Sequence, residues 1–375
     1  MHFGSSGFWF INIEKECTRK ILCTLAKNSV PLIIKYMNEP GSKVLMKDIS
    51  CALGISTSLV SKVLSNRLGT SGVSEATAAR IKNYAQTMGY QLNQSARALR
   101  CGRQNTLGVF MHHQGEPGIG IMERILLGAS EAAHRVQQKL MVALFEKNEE
   151  LFGANGAGYS GLVDGIIIAG IEHPDMKNQL LNMVRSGLPV ASIYSTPIAP
   201  EIPNICTAES ELGDMAIAHL IDRGCRRIGL LQTIPSRHIG RDRLLRTAGL
   251  ENDPALVFDS GDLLFTYEAG VRVAHKIIDE KIDLDGLVLD SDAQAQGVLN
   301  TLFKAGVSVP EQIKLVAISG SPQCRHMIVP LTSVSNQQEA MGRQAVSVIM
   351  QMLNGERPGH VHIPPVLRPR ASTGC

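Results

Sequence analysis

From residue 106 onward, short apolar runs alternate with longer amphipathic stretches. The runs Leu107–Met111, Leu140–Phe145, Gly165–Ala169, Pro189–Ile193, Arg227–Leu231, Gly286–Leu289 and Lys314–Ile318 have the length of strands. Between them, Ile121–Val136, Met176–Arg185, Asp214–Arg223, Ala269–Asp279 and Ala293–Lys304 repeat apolar residues at helical spacing. Such alternation predicts an α/β fold of βαβ units, with parallel strands covered by helices on both faces. About 270 residues is long for one sheet, so the pattern predicts two doubly wound subdomains.

Ahead of this region the texture differs. Residues 44–92 hold three short helical patterns separated by turn signals, and residues 93–105 are polar and basic around a short helical core, Ser95–Arg100. Residues 1–43 share no pattern with the rest of the chain, although Ile21–Ile34 could form a short amphipathic helix. Met37 offers an alternative start of translation, which would leave residues 1–36 outside the native protein.

Composition narrows the reading. A chain of 375 residues with 44% hydrophobic content can build two or three cores. No apolar run is long enough for a membrane span. The run Phe8–Ile13 is too short for the core of a secretion signal and lacks the flanking basic and cleavage features, so a cytoplasmic location is expected. The eight cysteines, at 17, 23, 51, 101, 206, 225, 324 and 375, form no C-x-x-C pair, so reduced thiols are expected and no metal site or cofactor is implied. Net charge is only +3, so any affinity for nucleic acid must come from local charge.

That local charge lies in the head. Ile49 and Leu53 share one helical face, Gly54 allows a turn, Ile55 packs the corner, and Ser56 is suited to cap a second helix. Val60, Val63 and Leu64 give the second helix an apolar face; Ser56, Thr57, Ser58, Ser61 and Lys62 offer short polar groups and a cation on the other side, suited to base edges and phosphates. A third helix, capped by Ser74 and ended by Gly89, buries Ala78, Ile81, Ala85 and Met88. Across residues 44–105 eight basic residues, Lys47 and Lys62 among them, face only Asp48 and Glu75, a footprint for phosphate.

These residues carry a resemblance. Asp48-Ile-x-x-x-x-Gly-Ile-Ser-x-x-x-Val-Ser-Lys-Val-Leu64, Val73-Ser-x-x-Thr77, Gly89-Tyr90-x-x-Asn93 and Ala96-Arg97-x-Leu99-Arg100 resemble the LacI/GalR (lactose-repressor) family, and the likeness runs on to Arg370. The resemblance implies a helix-turn-helix head (44–92), a hinge helix and linker (93–105) and a two-lobed, periplasmic-binding-protein-like effector domain (106–375). Its lobes are expected at about 106–206 with 317–350, and about 207–316 with 351–375, the chain crossing between them three times. It implies double-stranded, pseudo-palindromic operator DNA as a partner, a homodimer, and a carbohydrate-like small-molecule effector. Lys47 and Asn93 join the DNA-contacting set, and Leu99, flanked by Arg97 and Arg100, matches a leucine that wedges into the minor groove. Threonine, arginine, asparagine and proline usually stand where this chain has Leu59, Lys62, Ser65 and Leu92, so the resemblance implies an altered operator preference.

In the effector domain, ligands of open sheets sit beyond the carboxyl ends of strands. That rule selects His112, His113, Glu146 and Tyr194. In the second lobe, Arg237-x-x-Gly240 and Asp292-x-x-Ala295-x-Gly297 match family motifs whose arginine and aspartate contact the ligand, and Phe265 falls where an aromatic stacks on it. Helix capping is the alternative role for Asp292. Thr207, Cys225, Ala317–Gly320 and Ala371 depart from the family's usual residues, which implies an unusual effector or a module that senses poorly.

Two other classes are disfavoured. A transporter's solute-binding protein would lack the basic head. A nucleotide-dependent enzyme would carry Gly-x-Gly-x-x-Gly after its first strand, where this chain reads His-His-Gln-Gly-Glu-Pro. Gly153–Gly158 lacks the Gly-Lys-Ser/Thr ending of a phosphate loop, and no nucleophile–base constellation stands out, so no enzymatic activity is expected. The alternative to a regulator is a sugar-binding protein with a degenerate head.

Overall fold

The computed structural model describes residues 44–65, 73–90, 102–112, 120–145, 161–170 and 176–375, and the chain divides into two units at residues 101 and 102. The expectations placed on residues 1–43, on the hinge residues Asn93, Arg97, Leu99 and Arg100, on Gly153–Gly158, and on His113 and Glu146 lie outside the described residues.

In the first unit, α1 (Met46–Leu53), α2 (Thr57–Leu64) and α3 (Glu75–Thr87) close around Ile49, Val60, Val63, Ile81 and Ala85. The Asp48 carboxylate accepts the Leu45 amide ahead of α1, and Gly54, at φ +67°, turns the chain out of it. The Ser56 and Ser74 hydroxyls accept the amides of Leu59 and Thr77 and so cap α2 and α3. Four of the five core side chains have no solvent exposure, each contributing roughly 1.5–3 kcal/mol of burial.

The second unit opens with β1 (Thr106–His112), α4 (Ile121–Arg135), β2 (Lys139–Phe145), β3 (Gly165–Ala169), α5 (Met176–Arg185), β4 (Val190–Ile193) and β5 (Ile205–Cys206). After a first crossing come α6 (Glu209–Asp222), β6 (Ile228–Gln232), α7 (Arg241–Thr247), β7 (Val257–Asp259), α8 (Tyr267–Asp279), β8 (Gly286–Leu289), α9 (Asp292–Lys304), β9 (Lys314–Ser319) and β10 (Thr332–Ser335). Then α10 (Gln338–Leu353) and β11 (Val361–His362) return to the first lobe, and β12 (Val366–Arg368) ends in the second.

The first sheet runs β2-β1-β3-β4, all parallel, and a bridge from Ser192 to Asn204 carries it on to β5, which pairs with β11. The second runs β12-β10-β9-β8-β6-β7, parallel except for β12. Counted from its own first strand, each lobe has the order 2-1-3-4-5, the doubly wound pattern whose direction reverses between the first and third strands.

Alternation inside the apolar runs explains why both faces are covered. Leu107, Val109, Ile167 and Ala191 face α4 and α10, while Phe110, Ile166, Ile168 and Val190 face α5. In the second lobe Leu287, Leu289, Leu315 and Ala317 pack toward α8 and α9, and Leu230, Val288, Val316 and Ile318 toward α6 and α7. Glycines let the outer helices touch: a Cβ on Gly128 of α4 would run into the Glu339 carbonyl oxygen of α10.

Three features differ from expectation. Residues 317–336 finish β9 and add β10 to the second sheet, so the second crossing falls near Asn336 rather than at 317. Residues 351–363 stay with the first lobe through β11, and only the stretch from Pro364 joins the second. The reason is pairing: Ser319 sits in register with Ser335, and a lobe boundary cannot cut between paired strands. The crossings are tied together, Thr207 Oγ1 donating to the Asn336 carbonyl (3.1 Å) and Gln337 Nε2 to that of Pro364 (3.1 Å). Last, Cys206, Cys225, Cys324 and Cys375 are free thiols, but Cys51 is disulfide-bonded, against the expectation of reduced thiols.

Candidate effector site and DNA-facing helix

On the head, Lys47, Ser56, Thr57, Ser58 and Lys62 are exposed, and Ser61 is half-buried. Residues 57, 58, 61 and 62 follow helical spacing, so α2 places them on one side. Ser56 already serves as the helix cap. Leu59 is half-buried against the head core, so its departure from threonine removes a polar group but adds packing.

In the second lobe, the order reversal lies between β6 and β8, and the loops after those strands converge there. Asp290, at the end of β8 and 2% exposed, organises the site. Its Oδ2 accepts the amides of Thr233 (2.7 Å) and Ile234 (2.8 Å), and its Oδ1 accepts His238 Nε2 (2.9 Å). Burial alone would raise this carboxyl's pKa; the His238 hydrogen bond, the Arg237 charge and the Ile234 amide outweigh it and hold the pKa below the ordinary value.

Arg237 is 7% exposed and enters the same cluster. Its Nε pairs with Glu209 at the start of α6, and its Nη1 donates to the Asp290 carbonyl oxygen (2.7 Å). The guanidinium lies 5.8 Å from the centre of the half-buried Phe265 ring, within cation–π range. Nη2 makes no hydrogen bond among the described residues. Ser291 caps α9 through the Gln294 amide (3.1 Å), and Gln294 Nε2 reaches Thr233 Oγ1 (2.8 Å) and the Leu264 carbonyl (2.6 Å), so the loop carrying Phe265 is fixed to the same framework.

Asp292 is tied to the loop after β9. Both its oxygens are taken by backbone amides, Oδ1 by Gly320 (3.3 Å) and Oδ2 by Ser321 (2.6 Å), so it holds the loop after β9. It does not cap α9, since Ser291 does.

In the first lobe the reversal lies between β1 and β3. His112 ends β1 with its ring edge-on to Phe145 at 5.1 Å, and Gly170, at φ +114°, lies so close that a Cβ would stand 2.7 Å from the His112 carbonyl oxygen. Tyr194 is 5% exposed and packs with Phe110, Phe145 and Ile168, its backbone amide and carbonyl held by Asn204. It is a core residue here.

The sequence motifs thus bring Arg237 and Phe265 together, but give Asp292 a loop-holding role and leave Tyr194 in the core. Asp290, His238 and Glu209 stand outside the motifs. Their one signal in the sequence is the first acid of Leu289-Asp-Ser-Asp292, Asp290, which the motif aspartate Asp292 overshadows. Among the described residues no group of three or more potential metal ligands gathers, and no helix is long and apolar enough to cross a membrane.

A helix-turn-helix head followed by a two-lobed, doubly wound ligand-binding module defines an effector-controlled regulator of transcription. Comparison with known proteins agrees. Residues 217–373 match the periplasmic binding protein-like domain family. The HTH-type transcriptional regulator CelR of Thermobifida fusca is 27% identical over 321 residues, covering 82% of this chain and 91% of that protein. The ribose operon repressor of Escherichia coli K12 is 23% identical, covering 87% and 99%. Among solved structures, the lac repressor dimer bound to operator and an anti-inducer superposes with a TM-score of 0.74 at 19% identity, over 88% of this chain and 99% of that one. A CelR–cellobiose complex gives 0.61 at 24%, over 88% and 100%. The chain is thus similar to HTH-type transcription regulators in sequence and to the lac repressor in fold.

Proposed function

We infer that the protein is a cytoplasmic repressor that binds a roughly palindromic operator as a homodimer through α2, and that a hydroxyl-rich small molecule, a sugar or nucleoside, controls it from the site around Arg237. The observation that carries the effector reading is Arg237 itself: buried, held on two sides by Glu209 and Asp290, lying over Phe265, with Nη2 left for a ligand oxygen. A ring to stack on and a fixed donor are what a polar ligand with an apolar face needs. The exposed Thr57, Ser58 and Lys62 support the DNA reading, since short polar groups reach base edges and a cation reaches phosphate. The cellobiose-bound relative lends weight to a carbohydrate.

Two measurements test this. Fluorescence anisotropy against palindromic duplexes with a central CG step, at fixed salt, should find one duplex bound at least ~10³ tighter than random DNA. Leu99→Ala should erase much of that gap, and Lys62→Ala should lower the salt slope by about 1. Uniformly weak binding would instead make the protein a small-molecule binder with a disabled head. Calorimetry against sugars and nucleosides should give one ligand whose affinity falls at least ~10-fold in Arg237→Ala, the scale of losing one charge-assisted hydrogen bond; equal affinity in the variant removes Arg237 from the site.

A further inference from the structure

Arg124, on the first turn of α4 in the first lobe, is 8% exposed and makes no ion pair among the described residues. Its Nε donates to the Gly120 carbonyl (3.1 Å) within its own lobe. Its other two nitrogens cross to the second lobe. Nη1 donates to the carbonyls of Ser319 (3.2 Å) and Gly320 (3.1 Å), and Nη2 to the carbonyl (3.2 Å) and hydroxyl (3.0 Å) of Ser319. Ser319 and Gly320 both have positive φ, +130° and +74°, a backbone form that presents the two carbonyls to one guanidinium. On the opposite side of the same peptides, Asp292 accepts the amides of Gly320 and Ser321. The loop is therefore gripped by a cation at its carbonyls and an anion at its amides, each from a different helix and the cation from a different lobe. Burial lowers the pKa of Arg124, and the nearby Asp292 and Glu339 charges work against that shift. Ser319 is in register with Ser335, one residue before the second crossing at Asn336, so the contact lies beside the hinge.

We propose that Arg124 and the Ser319–Ser321 loop form an inter-lobe latch that fixes the angle between the two lobes. The planar, five-donor guanidinium suits this role, because it can hold several carbonyls in one orientation where a lysine would hold a point. The latch bears on effector control but does not depend on the identity of the effector site, because its test uses neither effector nor DNA.

The test is hydrogen–deuterium exchange of the full-length protein without ligand. Wild type should protect segments 120–125 and 319–321, and Arg124→Gln should raise exchange in both by about 10-fold, the scale of a modest coupling between elements, leaving the rest of β9 and the rest of α4 unchanged. Arg343→Ala breaks an ion pair to Glu131 between α10 and α4 inside the first lobe, and should leave 319–321 as in wild type. Fast exchange of both segments in wild type, identical exchange in Arg124→Gln, or equal acceleration of 319–321 in Arg343→Ala would each overturn the latch. If Arg124→Gln exchanges everywhere because the lobe no longer folds, Ser319→Ala decides: it removes one acceptor from the far side, and faster exchange confined to 120–125 upholds the latch while no change overturns it.

Discussion

The two lobes share one strand order and end it in different chemistry. At the reversal in the second lobe, Asp290 gathers two amides, a histidine and, through its carbonyl, an arginine, and Glu209 balances that arginine from the side. At the equivalent place in the first lobe, an aromatic edge contact and a glycine pressed against β1 take their place. The fold therefore sets where a ligand can sit, while the loops after the strands decide which wall comes already wired for polar contact. Here the second lobe carries the preorganised loops, and the first touches that lobe elsewhere, at the loop after β9, through Arg124.

Breaking the wired wall should have the largest effect. Asp290→Ala leaves two part-buried amides and His238 short of a partner and removes the 3.7 Å ion pair to Arg237, and should cost about 3–5 kcal/mol, the usual loss when one member of a buried charged set is removed; urea denaturation reads it. A loss below about 1 kcal/mol would mean that water replaces the carboxylate and the wall is less fixed than its hydrogen bonds imply. Next comes packing, where the lobes should behave alike. Gly128→Ala in the first lobe and Gly270→Ala in the second each drive a methyl group into a facing backbone oxygen, so each should cost about 1–3 kcal/mol by the same measurement.

Ser291→Ala removes the cap of α9 beside the wired wall and should cost about 1 kcal/mol. Acid sharpens the contrast further. The depressed pKa of Asp290 gives a contribution complete above the ordinary Asp value of about 3.9 and lost as pH falls from there through the depressed folded value. Unfolding free energy should therefore fall more steeply with acid in wild type than in Asp290→Asn, when urea midpoints are followed down the pH scale. The smallest effect is chemical. Burial pushes the Cys225 and Cys324 thiols up to about 11 and about 12, so near neutral pH an alkylating reagent should modify exposed Cys375 and spare both until the protein unfolds. Mass spectrometry of the labelled protein checks this.

Much of the fold is legible in the sequence because the pattern is strong. Gly165–Ala169 and Met176–Arg185 match β3 and α5 residue for residue, and the helix-turn-helix corner at Gly54 follows from capping and one left-handed glycine. The strands β5, β7, β10, β11 and β12 are not legible, because two to four residues carry too little periodicity to stand apart from loops. The displaced lobe boundary has the same origin: without β10, nothing in the sequence says that β9 has a neighbour. In the site, Arg237 and Phe265 follow from motifs. Asp292 matches a ligand-binding motif yet holds a loop, because its partners are backbone amides, which leave no mark on the sequence. Arg124 escapes sequence reasoning because its partners across the cleft are backbone carbonyls and a serine 195 residues away or more.

Local causes account for what could be read without coordinates: helices with caps and apolar stripes, buried strands as continuous apolar runs, a basic head ahead of a neutral module. The class of protein belongs with these, because the head's motif and spacing depend on turns a few residues long. Three outcomes needed the folded chain: which lobe each late segment joins, which aspartate ties the loops after β6 and β8 together, and that an arginine of one lobe is committed to the backbone of the other. Those are contacts between residues far apart in the chain, and a side chain's choice between a ligand, a helix cap and a distant peptide is made by where the fold places it.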